Sequence, residues 1–122
     1  MKAEVVTVSH LYTAEEIAKL TSEGRPFILM VDVSIRPAGE HEGADLFYLN
    51  VCNVEYVVEE TSRSGVFWER NVLVVARWDW DHIERTVRER VKQVEASDWD
   101  SVARELCGWM YWEFQGYSVP PQ

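Results

Sequence analysis

Residues 27–36 constrain the fold more than any other part of the chain. Apolar side chains recur there at every second position: Phe27, Leu29, Val31, Val33 and Ile35. Because alternate residues of an extended chain point to the same face, this stretch predicts a β-strand with one fully apolar face. Ile28 and Met30 make the other face apolar at its start as well, which indicates a position inside a sheet.

Further strands follow from the same reasoning. Turn-forming residues fill positions 37–43, and residues 44–52 carry Phe47, Leu49 and Val51 on one face, which predicts an antiparallel hairpin with a long loop. Residues 3–8 predict a short strand. Residues 72–76 are apolar on both faces and predict a central strand, with Phe67 and Trp68 indicating the start of a strand just before it.

Four segments predict helices. Thr13–Glu16 has the form of a capping box, and residues 54–61 carry valines at helical spacing. Asp81 opens a second capping-box-like segment, and Asp98 precedes a fourth helix that Gly108 ends. Strands come first and helices later, so we expect an α+β fold: an antiparallel β-sheet with two to four helices packed mainly on one face.

The C-terminal stretch Trp109–Tyr117 contains five aromatic residues in nine positions. Trp112 and Phe114 alternate with polar residues, which predicts a final strand whose rings build the core. Glu113 lies between these rings, and its role stays open between a carboxylate for a partner and a structural hydrogen bond. We expect one domain over residues 1–118 and a disordered tail over residues 119–122.

The formal net charge of -9 restricts the partners of the protein. It argues against nucleic acid and against an anionic membrane, since both require a cationic surface, and it permits attraction to a basic protein. An acidic balance that only improves solubility fits equally well. The two cysteines permit one disulfide, but they lack a CxxC spacing, and free thiols in a reducing cytosol are the favoured state. The chain shows no signal region and no apolar run of about 18 residues, so we expect a cytoplasmic protein.

The sequence contains no recognisable catalytic or metal-binding motif. His10, His41 and His82 lie far apart, and no zinc, phosphate-loop or nucleophile-elbow spacing is present. His41, Glu42 and Asp45 share a loop that lacks the ligand density of a calcium site. We therefore expect no catalytic residue, no metal and no cofactor.

Arg77–Asp81 places two tryptophans and two aspartates where a strand gives way to a helix. One aspartate is expected to cap the helix and one tryptophan to pack in the core. The remaining pair would then be available to a partner, because tryptophan is enriched at binding hot spots.

Several motifs together resemble one known family. Arg77–Glu84, Asp98–Trp99 and Trp112–Tyr117 follow one another in the order and spacing of the Immunity protein 8 family of bacterial polymorphic toxin systems, and Val51–Asn53 fits the same pattern. The chain departs from that pattern at Gln115 and Gly116, where the family commonly has Glu and Asp. The resemblance implies an α+β cytoplasmic protein that binds the effector domain of a cognate toxin and blocks it.

Carboxylates near aromatic residues are the candidate toxin contacts: Asp79, Trp80, Asp81, Glu113 and Tyr117, with Glu40 and Glu42 as loop alternatives. The net charge suits a basic nuclease as the toxin, with carboxylates lying where that enzyme expects phosphates. The oligomeric state stays open, a homodimer included.

Two other classes of function are compatible with the sequence. A small hydrolase would show carboxylates with perturbed pKa values converging in a cleft. A structural or ligand-binding domain would instead show a deep apolar cavity walled by Trp109, Trp112 and Phe114.

Overall fold

The fold is α+β, as the sequence predicts, with five strands and four helices in residues 1–114, the part of the chain that this computed structural model describes. The elements in chain order are β1 (Ala3–Ser9), α1 (Ala14–Leu20), β2 (Ile28–Pro37), β3 (Asp45–Asn53), α2 (Val54–Ser64), β4 (Val72–Val75), α3 (Trp80–Lys92), α4 (Trp99–Leu106) and β5 (Tyr111–Trp112).

The five strands form one sheet in which β3 is the central strand. β1, β2 and β3 are antiparallel neighbours, so the predicted hairpin is confirmed. The other edge of β3 is shared: β5 pairs antiparallel with its first half, and β4 pairs parallel with its second half. The parallel pair arises because α2 carries the chain across the sheet between β3 and β4, as parallel neighbours require.

One face of the sheet and two helices form the core. The alternating residues of β2 and β3 are buried against apolar stripes from α3 and α4, as the spacing predicts. The buried helical residues are Ile83, Val87, Val91, Val102, Ala103 and Leu106. Trp112 packs on the same core, with its ring stacked 6.1 Å from that of Phe47.

The other face of the sheet, which we call the open face, is only partly covered. Met30 is exposed there, whereas Cys52 is buried beneath α2, and α2 itself has no buried residue. The helices that bury side chains in the core therefore lie on one face, and α2 lies against the other.

Asn53 joins three elements at one end of the sheet. Its side-chain oxygen accepts hydrogen bonds from the Phe27 N–H and the Tyr56 N–H, each at 3.0 Å. Its side-chain nitrogen donates to the Arg25 carbonyl at 2.8 Å. This buried amide thus fixes the start of β2 and caps α2, and no described polar atom of its side chain is left unsatisfied.

Three local expectations are wrong. Trp68 lies in an exposed loop, because the strand begins only at Val72. β4 is an edge strand and not a central one: its second apolar face is left partly in water, and Val74 is 45% exposed. Phe114 follows a two-residue strand and is largely exposed, although its ring contacts Trp112.

The helix α3 also begins two residues earlier than its sequence suggests. Asp79 is its N-cap, with a side-chain oxygen that accepts from the His82 N–H at 3.2 Å. Asp81, which the capping-box spacing favours, lies inside the first turn instead.

Leu106→Ala tests whether α4 belongs to the central core. Leu106 is fully buried, so we expect its truncation to lower the free energy of unfolding by about 2–5 kcal/mol. Leu11→Ala is the control, since Leu11 is 86% exposed, and we expect a change within about 0.5 kcal/mol. Urea unfolding followed by tryptophan fluorescence measures both, and equal losses would contradict the assignment of α4 to the core.

Candidate functional site

The start of α3 lies in a cluster of aromatic rings that we call the helix-entry cluster, formed by His10, Phe27, Trp78 and Trp80. The Trp78 and Trp80 rings stack 5.8 Å apart, and His10 meets Trp80 edge-on at 4.7 Å. Phe27 meets Trp78 at 6.0 Å. Both tryptophans are half-buried and pack on the core, so both serve the fold where the sequence predicts only one to do so.

The two aspartates of this region have different surroundings. Asp79 is engaged as the helix cap, and its charge lies at the positive end of the α3 dipole. Asp81 is exposed and makes no hydrogen bond or ion pair with any residue of the described range 1–114. Asp81 is therefore an unpaired carboxylate at this end of the molecule, and its contact with a toxin stays a prediction.

The β2–β3 loop offers two further exposed carboxylates at the other end of the sheet. Glu40 and Glu42 are both exposed, and Gly39 adopts a φ of 90°, a backbone conformation that favours glycine. The Glu40 N–H donates to the Pro37 carbonyl at 3.2 Å, which closes the turn after β2. Their side chains project from a loop on a rigid sheet, an arrangement common in binding sites.

Glu113 is held by hydrogen bonds to a single residue of β3. Its side-chain oxygen accepts from the Leu46 N–H at 2.7 Å, and its own N–H donates to the Leu46 carbonyl at 2.8 Å. The side chain thus extends the β3–β5 pairing beyond the last strand residue. The carboxylate has a structural partner, while its contact with a toxin stays a prediction.

Asp45 at the start of β3 has a role that the sequence did not reveal. One of its carboxylate oxygens accepts from two indole N–H groups, those of Trp99 at 2.9 Å and Trp112 at 3.1 Å. Three segments distant in the chain therefore meet at one oxygen. The sequence carried no signal for this contact, because the two tryptophans lie 54 and 67 residues from Asp45 and nothing in their spacing reveals that they meet.

The predicted contact residues lie at two ends of the sheet. Asp79, Trp80 and Asp81 follow the C-terminal end of β4, whereas Glu40, Glu42 and Glu113 lie beside the N-terminal end of β3. The nine residues of β3 separate these ends by about 27 Å at the usual rise of about 3.4 Å per residue. Tyr117 lies outside the described residues.

The described part of the chain holds no arrangement typical of an active site. No group of three or more His, Cys, Asp or Glu side chains within residues 1–114 is placed to hold a metal ion. Asp98 is the described carboxylate whose pKa is shifted: hydrogen bonds from Ser101 lower it, as expected for the cap of α4. No helix in this range is long and apolar enough to cross a membrane.

The two thiols are separate in the structure, and burial raises the pKa of each. Both are free, as predicted, with Cys52 buried under α2 and Cys107 half-buried at the end of α4. Burial raises the pKa of Cys52 to about 11 and also raises the pKa of Cys107. Since the thiolate is the nucleophile, neither residue is poised for covalent catalysis near neutral pH.

The cleft beside Trp109 differs from the deep apolar cavity, walled by Trp109, Trp112 and Phe114, that would favour a small-molecule site. A cleft of about 370 Å³ is lined by Trp109, but its walls also include Arg70 and Arg90. The Arg90 guanidinium lies 5.1 Å from the centre of the Trp109 ring. Trp112 and Phe114 do not line this cleft.

Within residues 1–114, the structure combines a five-stranded sheet with exposed carboxylates at both of its ends. The chain belongs to the Immunity protein 8 family, whose model matches residues 8–117. Members of this family are non-enzymatic inhibitors, and membership implies that the protein neutralises a cognate toxin. No curated protein and no solved structure matches the chain significantly.

Asp45→Ala tests the double hydrogen bond at the start of β3. Two half-buried indole N–H groups lose their acceptor, so we expect the free energy of unfolding to fall by about 1–3 kcal/mol. Asp45→Asn keeps an acceptor oxygen and should lose less. Asp100→Ala, an exposed aspartate in the first turn of α4, is the control and should cost less than about 1 kcal/mol. Equal stability of all three variants in urea unfolding would contradict this role.

Glu113→Gln and Glu113→Ala separate a structural role from a contact role. Glutamine retains an oxygen for the Leu46 N–H, so we expect both the protection of that amide and the affinity for the toxin to be preserved. Alanine removes the acceptor, and amide exchange at Leu46 should accelerate about tenfold or more. A glutamine variant that keeps the protection but loses toxin affinity would instead assign the carboxylate to the interface.

Proposed function

We propose that the protein binds the effector domain of its cognate toxin in the cytoplasm of the producing cell and blocks it by covering a basic surface. Family membership over residues 8–117 is the observation that carries the proposal. The net charge of -9 supports the basic character of the toxin surface, because opposite charges favour encounter and correct orientation.

A nuclease is the toxin class that this charge fits best. Nucleases bind phosphates through cationic surfaces, and carboxylates such as those of Asp81, Glu40 and Glu42 can occupy the positions of those phosphates. The inhibitor would then act by exclusion: its side chains fill the substrate site and need no catalytic group of their own.

The positions of the exposed carboxylates determine how much of this protein's surface the toxin would have to contact. Asp81 and the pair Glu40 and Glu42 lie at opposite ends of the sheet. A standard interface buries about 800 Å² on each partner. Simultaneous contact at both ends would require the toxin to span the sheet along its open face or along the α3–α4 side.

Co-expression with the toxin encoded next to this chain tests the proposal. We expect the toxin to be lethal alone and harmless with the protein, and the purified pair to form a complex whose association slows as salt rises from about 0.05 to 0.5 M. Full lethality despite co-expression would contradict neutralisation of that toxin. Salt-independent association would contradict only the basic character of the contacted surface.

A further inference from the structure

The segment between α2 and β4 holds a tryptophan in water. Trp68 is 93% exposed, the most exposed large apolar side chain among residues 1–114, and Val66 beside it is 67% exposed. A fully hydrated indole contributes nothing to the core, because its apolar area remains in contact with solvent. Such a residue fits an interface in which binding buries the ring.

The loop that carries Trp68 is fixed on both sides. Gly65 ends α2 with a φ of 86°, which turns the chain away from the helix axis. Phe67 is half-buried and meets the Tyr56 ring edge-on at 6.2 Å. On the other side of Trp68, the Arg70 guanidinium lies 5.0 Å from the centre of the Tyr111 ring. The exposed indole is thus presented by a pre-organised loop, which lowers the entropic cost of binding.

A cleft of about 500 Å³ lies behind Trp68, between α2 and the open face of the sheet. Its aromatic walls include Tyr56, Phe67 and Tyr111, and Asn71 lies among the lining residues. Asn71 is only 1% exposed, yet neither its side-chain nitrogen nor its side-chain oxygen has a hydrogen-bond partner in the described chain. Such an amide costs free energy in a folded protein unless a water molecule or a bound group satisfies it.

The charge of this cleft favours a cation. Its charged lining residues are Glu60, Arg63 and Glu69, which together carry a formal charge of -1. Glu60 is already paired with Arg63 at 2.6 Å, whereas Glu69 is exposed and has no ion-pair or hydrogen-bond partner within residues 1–114. An unpaired carboxylate next to aromatic faces is suited to a guanidinium or ammonium group.

We propose that Trp68 and the cleft behind it form the docking site for a basic segment of the toxin's effector domain. A lysine or arginine of that segment pairs with Glu69 at the cleft, and the Trp68 ring packs on the apolar surface beside it. The Asn71 amide provides polar groups at the cleft for the entering segment. This proposal rests on the proposed function, and it adds a surface that is separate from both ends of the sheet.

The test measures the affinity of the purified protein for a catalytically inactivated effector domain of the toxin encoded next door. We expect Trp68→Ala to weaken the dissociation constant about 30-fold or more, as for an interface hot spot. Glu69→Gln should weaken it about fivefold or more and reduce its salt dependence. Both side chains are exposed, so the thermal midpoint of each variant should stay within about 2 °C of the parent.

Matched controls separate this surface from the rest of the molecule. Leu11→Ala removes a comparably exposed apolar side chain near the helix-entry cluster, and Glu105→Gln removes a carboxylate from α4 beyond the core face. Both should bind within about twofold of the parent.

The outcomes distinguish the two proposals. If the parent binds and both Trp68→Ala and Glu69→Gln bind within twofold of it, the docking site is overturned and the proposed function stands. A large loss in Leu11→Ala without one in Trp68→Ala moves the contact to the helix-entry cluster and likewise overturns the docking site. If the parent does not bind, the proposed function fails and the docking site fails with it.

Discussion

The pairing of β3 on both edges is the constraint on which the rest of the structure depends. β2 occupies one edge along almost the whole strand, while β5 and β4 divide the other edge between them. Backbone groups in the middle of a sheet must be paired, because an unpaired buried peptide group costs as much as a lost hydrogen bond. Both the short C-terminal strand and the parallel strand after α2 therefore complete the same element.

Polar residues at the two ends of β3 hold the neighbouring segments in place by hydrogen bonds. At its start, Asp45 accepts from two indoles, and Leu46 binds both the backbone and the side chain of Glu113. At its end, Asn53 caps α2 and bonds with the start of β2. These hydrogen bonds are specific in direction, so they select one register and one docking of the C-terminal segment where apolar packing alone would tolerate several.

The predicted binding surfaces lie where the strand pairing and the helices α3 and α4 leave the molecule exposed. α3 and α4 take the core face, and the aromatic rings at the start of α3 serve packing as much as recognition. The exposed carboxylates lie at the ends of the sheet, and the open face carries α2, the Trp68 loop and the cleft between them. A protein with a net charge of -9 can thus offer negative charge from more than one direction, and Trp68 is its most exposed large apolar side chain within residues 1–114.

The sequence by itself determined the elements whose periodicity is strong and local. The alternation in residues 27–36, the stripes of α3 and α4 and the caps at Thr13 and Asp98 all depend on neighbours within a few positions, and the structure has each of them. The family pattern likewise gave the class of function, since its motifs are read in order along the chain.

Only the tertiary structure decided how distant segments meet. An apolar run such as residues 72–75 is compatible with a central or an edge strand, and its partners, not its composition, placed it at the edge. The same holds for Asp45, whose two indole donors are 54 and 67 residues away, and for Glu113, whose partner is 67 residues away. Trp68 shows the same contrast: its apolar ring predicted the start of a strand, but pairing with β3 begins only at Val72, and the indole lies in a loop exposed to water.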